Sequence, residues 1–499
     1  MTGRSMLRAR VTWAAGFALL APILALNVYD RLRLSFNGAY LDESDYLFVG
    51  RRLLAGATWP TKEYVFSSDI PLVVLGLGER VGGLVGARAT SALLGLGSLA
   101  FYYDLVRRRS GDGVLAGLAT LLVAVSAPHT LISKFATYDV ACLMAFAAGC
   151  WALVRAEQSS GRVATGWALT ASCGFALACL SKYVVVLELP LVGMYIVTQR
   201  KELVVSFAWP FLLIVGTYVS LHGPALKVLY TNQILVAHAP NATRADLSGI
   251  AFSYAGALVA VPLTVLLAGA RLRGQASLRA ASWCLAFAMP MVLYHLYAAD
   301  QISLYKHTVY AIAALAPMTA SAVRQVLRSR LLATPITLGI VGYALVCHEQ
   351  LLSLERGFPD TRPVVAALSK TVGDDFCVLS ENAFLFLYAL GDRVDASRFY
   401  ETGWFDPAHD GKHSSRELVD AVWDGKFEYV YLDGQITPAL TRELRAGALH
   451  RHYARVFTKD YKVSGAMSGS RAGQMELYRR IGPYLGSWPL VDTEVHGVR

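Results

Sequence analysis

Charge is scarce in this chain. Only 16% of its 499 residues are Asp, Glu, Lys or Arg, while 55% are hydrophobic. An ordinary soluble enzyme carries about 25% charged residues, so that class is excluded. Paired cysteines are also lacking. Cys142, Cys150, Cys173, Cys179, Cys284, Cys347 and Cys377 show no disulfide or metal-ligand spacing, and all but Cys377 sit in or beside apolar runs, which indicates neither a disulfide framework nor a zinc site. No solenoid-period repeat and no low-complexity tract is present.

What the chain has in abundance is apolar runs. About eleven of spanning length lie between residues 11 and 348, among them 11–29, 86–106, 113–128, 138–155, 163–181, 183–199 and 203–221. The first has a basic flank but no clear small-x-small cleavage site, so it reads as an uncleaved helix rather than a signal peptide. The net charge of +10 is distributed as short clusters between runs, such as "RRRSGD" from Arg107, "RAEQSSGR" from Arg155 and "RQVLRSR" from Arg324. With the eleven spans so placed, these clusters all fall on one side, which the positive-inside rule makes cytoplasmic. Nucleic-acid binding is thereby set aside as the reason for the charge.

The expected fold is therefore a polytopic α-helical membrane protein of about eleven spans. Residues 1–348 form the membrane module, with a first outer loop over about 30–86 that carries interfacial helix. Residues 349–499 change character: "DDFCVLSENAFLFLYALG" and "FEYVYLDG" read as short buried strands and "SSRELVDAVWDG" as a capped helix. They predict a soluble extracytoplasmic α/β domain without a G-x-G-x-x-G phosphate loop.

On that topology several polar groups share the outer side. In "LDESDYLFVGRRLLAG" and the Ala57 that follows it, a helix starting at Asp42 places Tyr46, Val49, Gly50, Leu53, Leu54 and Ala57 on one apolar face, with Asp42 as N-cap and Glu43 and Asp45 in the first turn. Asp45 is the acid assigned to structure alone. Asp139 interrupts the start of a span, where a carboxylate is costly unless it faces a cavity or a partner. Lys182, alone between two runs, either snorkels to headgroups or holds an interfacial phosphate. Lys306, His307, Asp69, His222 and His238 lie at the same level.

These residues, in this order, resemble the GT-C membrane glycosyltransferases that use polyprenyl-phosphate sugars, in particular the protein O-mannosyltransferases and lipid A aminoarabinose transferases (families 39 and 83). The likeness rests on the first-loop acids, "SDIPL", the stretch from "RATSALLG" to "FATYDV", "LSKY" and "YKHTVYAIAALAP". It implies transfer of a sugar from a polyprenyl-phosphate donor to an acceptor hydroxyl or phosphate on the outer face of a bacterial cytoplasmic membrane, with inversion. Asp42 matches the catalytic acid and so becomes the candidate base, with Glu43 as its fallback. Asp139 matches the catalytic acid of the second outer loop, which supports the acceptor or a metal, and Lys182 and Lys306 stand where contacts to the donor phosphate are expected. Asp69 stands where the aminoarabinose transferases have Glu-Lys-Pro-Pro, and His222 is a candidate metal ligand beside it, for Mg, Mn or Zn. The implied partners are membrane lipid, the polyprenyl-phosphate sugar and a lipid, polysaccharide or protein acceptor. A transporter or flippase of lipid-linked sugars is the alternative, although acids at mid-span and two related halves, usual in transporters, are not evident.

Overall fold

The computed structural model describes residues 21–56, 68–230, 242–267, 275–301, 303–327, 330–373, 376–404, 415–463 and 471–482. Most of the first apolar run, His238, and the loop around it lie outside these segments. The described chain divides into two compact units. One holds the residues up to Leu34 and Gly50–Leu352, the other Ser35–Val49 and Ser353 onward.

The first unit is helical. After α1 (21–32) and the end of α2 (Asp42–Leu54), from Gly50, come α3 (Asp69–Ser110), α4 (Gly113–Val125), α5 (Ala127–Lys134), α6 (Tyr138–Glu157) and α7 (Gly161–Ser181). A 3-10 turn, Tyr183–Glu188, leads to α8 (Leu189–Arg200) and α9 (Val204–Leu229). Then follow α10 (Arg244–Leu267), α11 (Gln275–Ala288), α12 (Pro290–Ala298), α13 (Leu304–Leu327) and α14 (Arg330–Arg356). Among the described residues seven helices are long and apolar enough to span a bilayer, eight if the bent pair α4–α5 counts as one. The protein is thus a multi-pass membrane protein.

The expected eleven spans differ from this for identifiable reasons. The runs 183–199 and 203–221 form one long apolar segment, Tyr183–Pro224. The run 113–128 breaks at Ser126 into two helices at 64°. The apolar run expected over 86–106 belongs to a 42-residue helix that starts at Asp69, where loop was expected. That helix is broken at Gly82 and Gly83, and Gly83 has φ 58° and ψ −151°, a conformation open only to glycine.

Helices α6 and α7 pack closely because glycines face each other. A Cβ on Gly174 would stand 2.8 Å from Gly149 Cα, and one on Gly149 would press on Phe175. At the end of the bundle carrying the basic clusters, Arg109 pairs with Glu157 at 2.6 Å, and Arg200 donates to the Glu157 carbonyl at 2.6 Å. Arg324 pairs with Asp112 at the same end, so three clusters read from sequence are tied together by ion pairs.

The second unit contains α15 (Arg362–Ser369), α16 (Ala383–Leu390), α17 (Ser415–Trp423), α18 (Pro438–Ala446) and α19 (Leu449–His452). Its sheet comprises β1 (Val378–Ser380), β2 (Phe399–Glu401), β3 (Tyr429–Leu432), β4 (Tyr453–Val463) and β5 (Arg471–Arg480), in the order β2-β1-β3-β5-β4. β1 is parallel to β2 and β3, while β5 runs antiparallel to β3 and β4. The run "AFLFLYAL", expected as strand, is the helix α16. Asn382 caps it by accepting the Leu385 N–H at 3.2 Å, a local signal that outweighs the continuous apolar run.

Ser35–Val49 belongs to this unit through specific bonds. Asn37 donates to the Phe358 carbonyl at 2.6 Å, Thr361 to the Ala39 carbonyl at 3.1 Å, and Tyr40 to Asp433 at 2.8 Å. Glu381 in turn accepts from the Asp433, Gly434 and Thr437 N–H groups.

Candidate functional site

The first unit gathers a charged cluster at one end of its bundle. Asp139 sits in the first turn of α6, Lys182 follows the last residue of α7, and Lys306 lies in the first turn of α13. Lys182 Nζ is 2.5 Å from Asp139 Oδ1, Lys306 Nζ is 3.3 Å from Oδ2, and Thr137 donates to Oδ2 at 2.8 Å. The side chains are only 5%, 8% and 11% exposed for Asp139, Lys182 and Lys306. Lys182 lies over the Tyr138 ring and Lys306 over that of Tyr305. One carboxylate thus faces two ammonium groups. Charges this deeply buried are held only when paired and hydrogen-bonded, and the triad retains one net positive charge suited to an anion.

Asp69, at the start of α3, lies within electrostatic reach of Tyr183 and Tyr218. The hydroxyls of those tyrosines are 3.0 Å apart. His222 was expected in a loop, but α9 continues through it and its ring centroid is 4.5 Å from that of Tyr218. Asp69 and His222 therefore both flank Tyr218. Among the described residues no three His, Cys, Asp or Glu side chains converge to hold a metal ion.

Asp42 and Glu43 belong to the second unit. The helix α2 begins at Asp42 as expected, but Asp42 is its first helical residue and not its N-cap. Leu41 takes the cap position: its carbonyl accepts from the Ser44 and Asp45 N–H groups at 3.0 and 3.2 Å. Leu41 has φ 48°, a left-handed conformation that costs a branched residue about 1–2 kcal/mol. Asp42 is exposed, whereas Glu43–Gly50 are all buried, so this part of the helix is not the half-buried amphipathic element expected. Burial, followed by the neighbouring Asp42 and Glu401, pushes the Asp45 carboxyl well above the usual range.

Two features escaped sequence reasoning. A cavity of about 940 Å³ lies within the helical unit, lined largely by apolar side chains with His129, Glu188 and Tyr310 among them. Glu188 is 1% exposed, and neither of its oxygens has a hydrogen-bond partner. The acid inside "VVVLELP" was a usable signal. The pair His295 and His307 is the second, and its partners are set by a turn that leaves no sequence pattern.

The model of the dolichyl-phosphate-mannose-protein mannosyltransferase family matches residues 77–223, a stretch that includes Asp139, Lys182 and His222. ArnT from Cupriavidus metallidurans bound to undecaprenyl phosphate superposes with a TM-score of 0.60 at 13% identity, over 95% of this chain and 99% of that one. The chain has the GT-C fold. Apo ArnT gives 0.57 at 14% identity over 94% and 98%. The oligosaccharyltransferase of Archaeoglobus fulgidus, tethered to an acceptor peptide, gives 0.52 at 12% identity over 91% and 74%. No curated protein sequence matches the chain. The resemblance read from the ordered motifs is thus borne out for the architecture.

Proposed function

We propose that this GT-C protein is a glycosyltransferase that moves a sugar from a polyprenyl-phosphate donor to an acceptor hydroxyl or phosphate at the outer face of a bacterial cytoplasmic membrane. The observation that carries the reading is the buried triad, in which Lys182 and Lys306 share the single carboxylate of Asp139. Such a site is prepared for a phosphate: the anion meets two pre-placed ammonium groups, and Asp139 keeps both in position while it is absent. The ArnT structure that superposes here holds undecaprenyl phosphate, which supports that assignment. The apolar cavity beside Tyr310 suits a polyprenyl chain, which contact alone would hold without reading its length.

In this reading the C-terminal unit lies outside the membrane, and the basic clusters lie in the cytoplasm. Asp42 is the base that takes the proton of the acceptor as the sugar is transferred with inversion. Lys182 and Lys306 stabilise the charge that develops on the departing phosphate. Glu43, the buried acid next to Asp42 in the chain, is the fallback base.

The test uses purified full-length protein in lipid nanodiscs. Lys182→Gln and Lys306→Gln are each expected to weaken undecaprenyl-phosphate binding by at least about tenfold, and Asp42→Asn to abolish transfer while leaving that binding intact. Unchanged lipid binding in both lysine variants would remove the phosphate site. Movement of labelled lipid-linked sugar across vesicles with no transfer would make the protein a flippase.

A further inference from the structure

Every polar atom of the triad's carboxylate is engaged, but one atom beside it is not. His307, next to Lys306 in the first turn of α13, is 5% exposed, and its Nε2 has no hydrogen-bond partner. Its ring lies within electrostatic reach of Lys182, Asp139 and Lys306. His129 shows the usual arrangement for a buried histidine: it is fully buried, with Arg31 at 2.9 Å on Nδ1 and Ser98 at 3.1 Å on Nε2. His307 departs from it on one side only.

The other side is fixed by a short relay. His295 Nδ1 is 2.6 Å from the Asp300 carbonyl oxygen, and His295 Nε2 is 2.7 Å from His307 Nδ1. A carbonyl can only accept, so His295 carries its proton on Nδ1. The Nε2 of a neutral His295 then accepts, His307 Nδ1 donates to it, and the lone pair of His307 is left on Nε2. A cationic His295 would reverse the order. It would also place a positive charge, at a ring 1% exposed, against His307, whose ring already lies within reach of two ammonium groups that share one carboxylate, which a low-dielectric site disfavours. The turn that builds the relay is strained on both sides of Asp300: Ala299 has φ 52° and Ser303 φ 62°. These two and Leu41 are the only non-glycine residues with positive φ among those described. Strain of about 1–3 kcal/mol per residue persists where surrounding structure enforces it, and here it orients a carbonyl at His295.

We propose that His307 Nε2 is a substrate-contacting hydrogen-bond acceptor for an O–H group of the ligand held by Lys182 and Lys306, with His295 as the positioning residue that keeps its lone pair available. The inference rests on the phosphate-site reading above. It adds specificity that two ammonium groups lack, since Lys182 and Lys306 only donate. A site lined by donors alone binds any phosphodiester, whereas an acceptor fixed among them selects a ligand that brings a hydroxyl to that point. That hydroxyl comes either from the sugar of the donor or from the phosphate monoester left after transfer.

The experiment is 15N NMR of imidazole-labelled full-length protein in nanodiscs, with the His307 signals assigned by their loss in His307→Gln. Without ligand, His307 is expected to show a protonated Nδ1 and an unprotonated Nε2. Undecaprenyl phosphate and an undecaprenyl-phosphate sugar are then added separately. An Nε2 shift toward the hydrogen-bonded range with the first identifies the phosphate hydroxyl; a shift with the second alone identifies a sugar hydroxyl. His307→Phe is expected to bind the effective probe about tenfold more weakly, with His307→Gln recovering part of the loss. In His295→Phe, His307 should show mixed tautomers. A protonated Nε2 in the free protein, or bound probes that leave Nε2 unmoved, would overturn the inference and spare the phosphate site. If neither probe binds, the phosphate site itself fails, and the inference with it.

Discussion

At the scale of single residues, the chemistry depends on charges that the fold forces together. Asp139 is the hinge of the triad: its removal leaves Lys182 and Lys306 buried and uncompensated. Asp139→Asn is therefore expected to destabilise the protein by about 3–5 kcal/mol, measured as a drop in the thermal unfolding midpoint in detergent. An unchanged midpoint would mean that water or lipid already compensates these cations. The acids of "LDESD" separate differently. Asp45 is buried, its Oδ1 lacks a partner, and its carboxyl is held well above the usual range by burial and by Asp42 and Glu401. It thus stays neutral to higher pH than an ordinary aspartate. Asp45→Asn should keep transfer activity within about twofold and leave stability unchanged or raised at pH 8, whereas Asp42→Asn should end transfer. Loss of activity in Asp45→Asn would assign it the chemistry instead. The acids, Asp139 and the lysines were all legible in the sequence, because charge is costly in an apolar chain and so stands out there. Glu188 and His307 were legible only as residues, since their missing partners are a property of packing.

At the scale of elements, helix ends and close approaches fix the site. The αL residue Ala299 closes α12, its N–H bonding to the His295 carbonyl. Glycine favours that conformation, so Ala299→Gly is expected to stabilise the protein by about 1 kcal/mol, read as a higher unfolding midpoint. The opposite sign would show that the turn depends on the methyl group. Helices α6 and α7, which bring Asp139 and Lys182 together, cross where Gly174 meets the Gly149 backbone. Backbone cannot move aside as a flexible side chain does. Gly174→Leu should therefore cost about 1–3 kcal/mol and weaken undecaprenyl-phosphate binding through the displaced triad; full binding would show that the crossing and the site are independent. Periodicity located these helices, but it placed neither the break at Gly82 and Gly83 nor the bend after Val125.

At the scale of the whole molecule, the segment bearing Asp42 folds with residues more than three hundred positions later. Tyr40 reaches Asp433, whose carboxyl is raised to about 7 by burial and then by Glu381. The folded form of that group binds its proton more tightly than the unfolded chain, where an aspartate titrates near 4. Its stabilising contribution is complete below about pH 4 and is lost as pH rises through about 7. Asp45 and Glu401, the latter raised to about 8, act in the same direction. Amide hydrogen exchange of β1 and β3 in the full chain should therefore quicken between pH 5 and 8 beyond its intrinsic rate, and Asp433→Asn should flatten that trend. A slope identical in the variant would place the titration elsewhere.

The sequence by itself determined that the chain crosses a membrane several times and that Asp139, Lys182 and Lys306 lie at the ends of apolar runs, because burying charge in lipid is costly enough to leave a visible pattern. Only the tertiary structure decided that Asp139, Lys182 and Lys306 meet, that Ser35–Val49 joins the C-terminal unit, and that His307 keeps one nitrogen unbonded. Those facts rest on contacts between residues far apart in the chain, and such contacts leave no period or spacing to read.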